Sequence, residues 1–222
     1  MPNAAIDSNQ ISKPRRGEGT TLGRVERKKR DKLERIKRSA RSLFARKGFE
    51  LTTTREIAQA ADVGVGTVFL HAGSKQDLLV TIFREEAGRA VDAAFESMTE
   101  RRLIDQLMRV FGALIAHHER NIGLARVFVK ELPFVDDHRH GRAAFMAELF
   151  SRLAVLIDRA QERDELRTGV PSHRLAKNLF ALFFAGLHEW LGARVVTPQE
   201  RDAGLRAALE LQLAGLRASG EK

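Results

Sequence analysis

His117, His118, His138, His140 and His188 are the residues whose types and spacing could do acid–base or metal chemistry. Adjacent histidines on a helix point about 100° apart, so His117 and His118 do not converge on one ion. His138 and His140 fall in a charged run beside Asp136 and Asp137. Neither an HExxH helix nor a paired-carboxylate signature accompanies them. The chain has no cysteine, which excludes disulfides, thiolate zinc sites and cysteine nucleophiles. These histidines therefore read as solvated or hydrogen-bonded groups, with a small helical enzyme or metal protein as a minor alternative. No catalytic residue, metal or cofactor is expected.

A second chemistry is polyanion binding. The 222 residues carry a net charge of +9, and +8 of it falls in residues 1–77, with 17 basic against 9 acidic side chains. A charge confined to one third of the chain suggests a polyanion partner there and a near-neutral remainder. No apolar run approaches the roughly 20 residues needed to span a bilayer. Met1 to Arg16 is polar, then basic, and lacks an apolar signal segment. A cytoplasmic protein is the expectation.

The elements that must position these groups are helical. Residues 1–24 are polar and read as a disordered basic extension. Apolar residues then recur at Leu33, Ile36, Ala40, Leu43 and Phe44, predicting a helix from about Val25 to Lys47 that Gly48 ends. Thr53 and Glu56 form a capping box for the next helix. Ala61 to Gly64 is a turn, Val65 to His71 a short helix, and Ser74 the cap of another. Further helices are predicted over about 101–119, 122–131, 141–165, 172–193 and 198–217. No segment alternates with period two, so the fold class is all-α, with about nine helices. The domains read as the 1–24 extension, a helix–turn–helix domain over 25–74, and a helical effector-binding and dimerisation domain over 75–222.

A short helix held at a fixed angle by a supporting one suits the major groove of DNA. Arg55 and Thr67 can reach base edges, with Thr54 beside them, while Val65 can meet a thymine methyl and Gly66 adds no hydrogen-bonding group. Lys75, at a helix start, is placed to hold a phosphate. The stretch from Ile36 to Leu79 resembles the DNA-binding domain of the tetracycline-repressor (TetR-type) family of bacterial regulators. The resemblance rests on Ala40-x-x-Leu43-Phe44, Gly48-Phe49, Thr53-Thr54, Ile57-Ala58, Ala61-x-Val63, Gly66-Thr67-Val68 and Ser74-Lys75-x-x-Leu78-Leu79 in one register.

Two positions depart from the family pattern. Phe69 stands where a tyrosine usually bonds a phosphate, a loss of about 1 kcal/mol per half-site. Ala72 stands where an aromatic is usual. His71 and Lys75 remain as expected phosphate contacts. The basic arm from Arg24 to Arg30, with Arg24, Arg27 and Lys28 as its candidate contacts, is expected to offset the deficit at phosphates or in the minor groove.

The resemblance also implies a homodimer through helices 172–193 and 198–217, a palindromic double-stranded operator, and a small apolar or amphipathic effector bound among the middle helices. Phe111, Phe128, Phe145 and Phe184 are the expected lining. The candidate polar groups are His118, with His117, His188 and Arg126. The function read from the sequence is a repressor released by its effector. The alternative is an architectural protein that binds DNA with little sequence preference.

Overall fold

The computed structural model describes residues 18–134, 142–193 and 196–217. Nine α-helices and one 3-10 turn, with no strand, make up the ordered elements among them. They are α1 (Glu18–Lys47), α2 (Thr54–Ala60), α3 (Val65–Ala72), α4 (Lys75–Glu96), α5 (Leu103–Glu119), α6 (Ile122–Glu131), α7 (Arg142–Glu162), α8 (Ser172–Gly192) and α9 (Pro198–Ala214). The loop with His138 and His140, and residues 1–17 with Arg15 and Arg16, lie outside the described residues.

Local chemistry sets the helix ends. Gly48 ends α1 at φ +83°, a conformation that a Cβ disfavours, and its N–H donates to the Phe44 carbonyl at 3.0 Å. The Thr53–Glu56 capping box closes in both directions at the start of α2. Asp62 turns the chain between α2 and α3 at φ +52°, in the left-handed region that aspartate tolerates better than most residues. Ser74 Oγ accepts the Asp77 N–H at the start of α4, and Thr197 and Glu200 cap α9 ahead of Pro198.

One expectation is corrected here. The first helix starts at Glu18 rather than near Val25, so residues 18–24 of the expected disordered extension are helical. These seven residues continue α1 as one helix. Arg24, Arg27 and Lys28 therefore stand on a continuous helix and not on an extended arm.

Ile36, Ala40, Leu43, Phe44, Phe49, Ile57, Ala58, Ala61, Val68 and Ala72 pack together beneath α2 and α3. Ala72 is buried, so its small side chain closes this core where the family pattern has an aromatic. Helix α4 is shared. Leu78, Leu79 and Ile82 join it to that core, and Phe83, Ala87 and Val91 face α5 and α6. Ionic ties reinforce the join with α1. Lys37 Nζ, nearly inaccessible, meets Glu85 at 2.6 Å and Glu34 at 2.7 Å, and Arg41 Nε meets Glu86 at 2.6 Å. A buried ammonium that lost these carboxylates would be strongly destabilising, so the α1–α4 angle is fixed here.

Candidate nucleic-acid interface and core cavity

Helix α3 buries only Val68 and Ala72. Its other face leaves Val65 37%, Phe69 48% and Leu70 78% exposed, with Gly66 also exposed and Thr67 half-buried. Arg55 is exposed on α2 and makes no ion pair among the described residues, and Thr54 is half-buried at the start of the same helix. The structure thus brings Thr54, Arg55, Val65, Gly66, Thr67 and Phe69 onto one helix–turn–helix unit, as the sequence predicts.

Lys75 is the second correction. Its ammonium donates to the carbonyls of Phe49 at 2.8 Å, Thr52 at 3.0 Å and Glu50 at 3.4 Å, and it sits 4.1 Å from the Phe49 ring centre. All three N–H bonds of the ammonium therefore have acceptors inside the protein. Lys75 clamps the α1–α2 loop onto α4 instead of standing free for a phosphate. Sequence position marks it as a helix start, and only the fold brings three loop carbonyls to it.

Two lysines of α1 stand near α3: Lys29, within the expected basic arm, and Lys32, which the sequence-based set lacks. His71 is held below the usual histidine pKa, first by partial burial and then by the charges of Lys29 and Lys32. These lysines therefore lie close to the C-terminal end of α3. Lys29, Lys32 and Arg35 recur at three-residue spacing along α1. Arg35 marks the direction of that ridge, since its guanidinium reaches Asp62 in the α2–α3 turn at 3.6 Å. The ridge runs beside the helix–turn–helix unit. Its spacing is readable in the sequence, but its side of α1 is not.

The second feature is a cavity of about 260 Å³ between α4, α5, α6, α7 and α8. Val80, Arg84 and Ala87 of α4 form one wall. Phe128, Phe145, Phe184 and His118, all expected as lining, do line it. Phe111 does not, which is the third correction. It is fully buried and stacks on Phe183 with ring centres 4.7 Å apart, so Phe183 stands between it and the space. Helical periodicity marks both phenylalanines as inward and cannot rank their depth.

The other polar candidates lie elsewhere. Arg126 Nε donates to the Leu191 carbonyl at 2.8 Å near the end of α8, and His188 is exposed on the same side. His117 and His118 are both buried. His118 Nδ1 lies 2.7 Å from the Leu114 carbonyl, which selects the Nδ1–H tautomer. Among the described residues neither ring nitrogen of His117 has a partner in good hydrogen-bond geometry, and burial foremost pushes its pKa down to about 4, with only a small opposing effect of the Phe83 backbone. Both rings pack against Phe83 of α4, at 5.0 Å and 6.1 Å between centres. Among the described residues no group of three histidine, aspartate or glutamate side chains is placed to hold a metal, and no helix is long and apolar enough to cross a membrane.

Comparison with known proteins agrees with this geometry. Residues 36–82 match the family model of the bacterial regulatory proteins, tetR family. The uncharacterized HTH-type transcriptional regulator YvkB of Bacillus subtilis is 24% identical over 172 residues, which cover 76% of this chain and 89% of that protein. The HTH-type transcriptional repressor KstR of Rhodococcus jostii is 22% identical over 167 residues, covering 74% and 75%. Among solved structures, Thermus thermophilus FadR, a TetR-family transcriptional repressor in complex with lauroyl-CoA, matches with a TM-score of 0.69 at 28% identity. That match covers 86% of this chain and 98% of FadR.

Proposed function

Starting from a chain that is a TetR-type transcriptional regulator, we propose that it acts as a homodimeric repressor released from a palindromic operator by a small apolar or amphipathic effector. The observation that carries this reading is the double role of α4. Its Val80, Arg84 and Ala87 wall the cavity, while its first turn is tied to the helix–turn–helix unit through Lys75 and its middle to α1 through Glu85 and Glu86. A ligand that fills the cavity acts on the helix that sets the angle of the reading head. It shifts the protein between two head spacings by its differential affinity for them.

Arg55 and Thr67 contact bases in this reading, while His71, Lys29, Lys32 and the Arg24 to Lys28 stretch contact phosphates. His71 is held toward its neutral form in the free protein, so it serves first as an N–H donor. The effector carries an apolar body, since the cavity surface is formed by aromatic and aliphatic side chains. The relative solved with lauroyl-CoA supports an acyl chain as the first compound to try.

Footprinting on the protein's own upstream region, followed by titration with lauroyl-CoA and other apolar acids, tests the proposal. We expect a protected palindrome and at least about tenfold weaker DNA binding with the effector, a shift of about 1.4 kcal/mol. An Ala87→Phe variant fills the cavity and should keep DNA binding while losing the effector response. Weak binding indifferent to sequence would instead favour the architectural role.

The basic ridge has its own test. A Lys29→Ala/Lys32→Ala variant should lower the slope of log affinity against log salt by about 0.9 for each phosphate that it no longer neutralises. An unchanged slope would remove both residues from the interface.

A further inference from the structure

We propose that α3 reads its operator mainly through the C5-methyl groups of thymine, with hydrogen bonds to base edges left to Thr67 and to Arg55 on α2. The inference rests on the DNA-binding role proposed above and specifies what the reading helix recognises.

The outward face of α3 is made by Val65, Gly66, Phe69 and Leu70. None of these side chains has a hydrogen-bond donor or acceptor. Leu70 is 78% exposed and Phe69 48%, on a helix only eight residues long. Such a face in water is unfavourable unless something covers it. Its surroundings identify the occupant. Lys29 and Lys32 lie within electrostatic reach of His71 at one end, and Arg55, without an ion pair among the described residues, stands on the supporting helix. A protein partner with an apolar surface would not need this basic rim, whereas a DNA backbone would.

Gly66 supplies an independent observation. A Cβ built there meets nothing within 4 Å, and its φ is not in the left-handed region. The fold therefore has no need of glycine at this position, where alanine would favour the helix. In the proposed complex, its missing side chain lets the α3 backbone approach the groove closely. In the major groove, the feature that meets an apolar helix face at close range is the thymine methyl, which projects from one base of an A·T pair. A face of this chemistry separates thymine from cytosine by shape and apolar contact.

The test uses the full-length protein. A duplex is first selected from a randomised pool, and each of its thymines is then replaced by deoxyuridine, which removes the methyl and keeps the base pair. We expect about fourfold weaker binding per contacted thymine, the value of one buried methyl-sized group. We further expect Val65→Ala and Leu70→Ala to abolish the effect at the thymines they contact and leave it elsewhere. Placing 5-methylcytosine where a thymine-to-cytosine change has weakened binding should restore part of the loss. If the selected duplex binds specifically but full deoxyuridine replacement leaves affinity unchanged, methyl reading is overturned and the regulator reading stands. If no sequence emerges from the pool, sequence-specific regulation itself is overturned, and methyl reading with it.

Discussion

An Ala185→Arg/Leu211→Arg variant is expected to be a folded monomer whose DNA affinity has fallen by about 100-fold or more. Both positions lie outside the core. Leu211 is 79% exposed on α9, and Gly204, Ala207 and Ala214 share its side of the helix. Ala181 and Ala185 are exposed at i, i+4 on α8. The opposite sides of these helices are filled by Leu175, Leu179, Phe183, Leu187 and Leu191 on α8, and by Leu205, Leu209 and Leu213 on α9.

In the proposed dimer, this surface of small residues around a protruding leucine lets a second pair of helices approach closely. An arginine on each helix would force unpaired cations into that interface. The penalty on DNA binding follows from geometry. Two reading helices about 34–36 Å apart engage successive major grooves, and a tight dimer makes the second engagement intramolecular. Sedimentation and gel shift measure the two effects, with circular dichroism as the check on folding. A variant that remains dimeric and binds DNA as before would exclude this surface as the interface.

Acid is expected to remove about 3 kcal/mol of folding stability between about pH 7 and pH 4 through His117 alone. His117 is 3% exposed, has no well-aligned hydrogen-bond partner among the described residues, and its pKa is pushed down to about 4 from 6.5. Burial is the main cause, and the charges of His118, Arg120 and Arg89 add to it. The folded pKa lies below the unfolded one, so the unfolded chain binds more protons in this window. The contribution is present above pH 6.5 and is lost as pH falls through the folded value. His118 is shifted in the same direction, again by burial.

Glu56 and Glu100 also have lowered pKa values, each about 2, owing first to their hydrogen bonds with Lys47 and Arg109. Their stabilisation fades between 4.5 and about 2, which overlaps the histidine window only at its acid edge. Urea unfolding of the wild type and of His117→Leu at the two pH values separates these effects. The variant should be at least as stable at pH 7, because two unsatisfied nitrogens are gone, and should lose about 3 kcal/mol less on acidification. Equal acid sensitivity in the two proteins would show that His117 does not carry the effect. Since Phe83 packs on His117 and stacks on Phe128 at 5.1 Å, protonation would loosen α4 beside the cavity.

Much of the architecture is readable from short-range signals. The Thr53–Glu56 and Thr197–Glu200 boxes, Ser74 and Gly48 each act within one helical turn, so their residue types state where a helix begins or ends. The inward faces of α1 and α4 follow from apolar spacing. The start of α1 is not legible in the same way, because a polar, charged helix has no apolar stripe to announce it.

The candidate site divides along the same line. Val65, Gly66, Thr67 and Phe69 share a helix only two turns long, so their spacing already puts them on one accessible unit. The role of Lys75 escapes sequence reading because its three acceptors are carbonyls more than 20 residues away along the chain. Phe111 and Phe184 are equally apolar in sequence, but one is shielded by Phe183 and the other faces the cavity. Arg84 joins the cavity wall without any sequence signal beyond its i, i+4 relation to Val80.

The sequence by itself therefore determined the helices, their caps and the residues that can stand on the reading helix. These depend on neighbours within a turn or two. The tertiary structure alone decided which lysines flank that helix, that Lys75 is bound internally, and which aromatic rings enclose a space. Those outcomes depend on how separate helices meet, and close packing together with the cost of an unpaired buried charge fixes them.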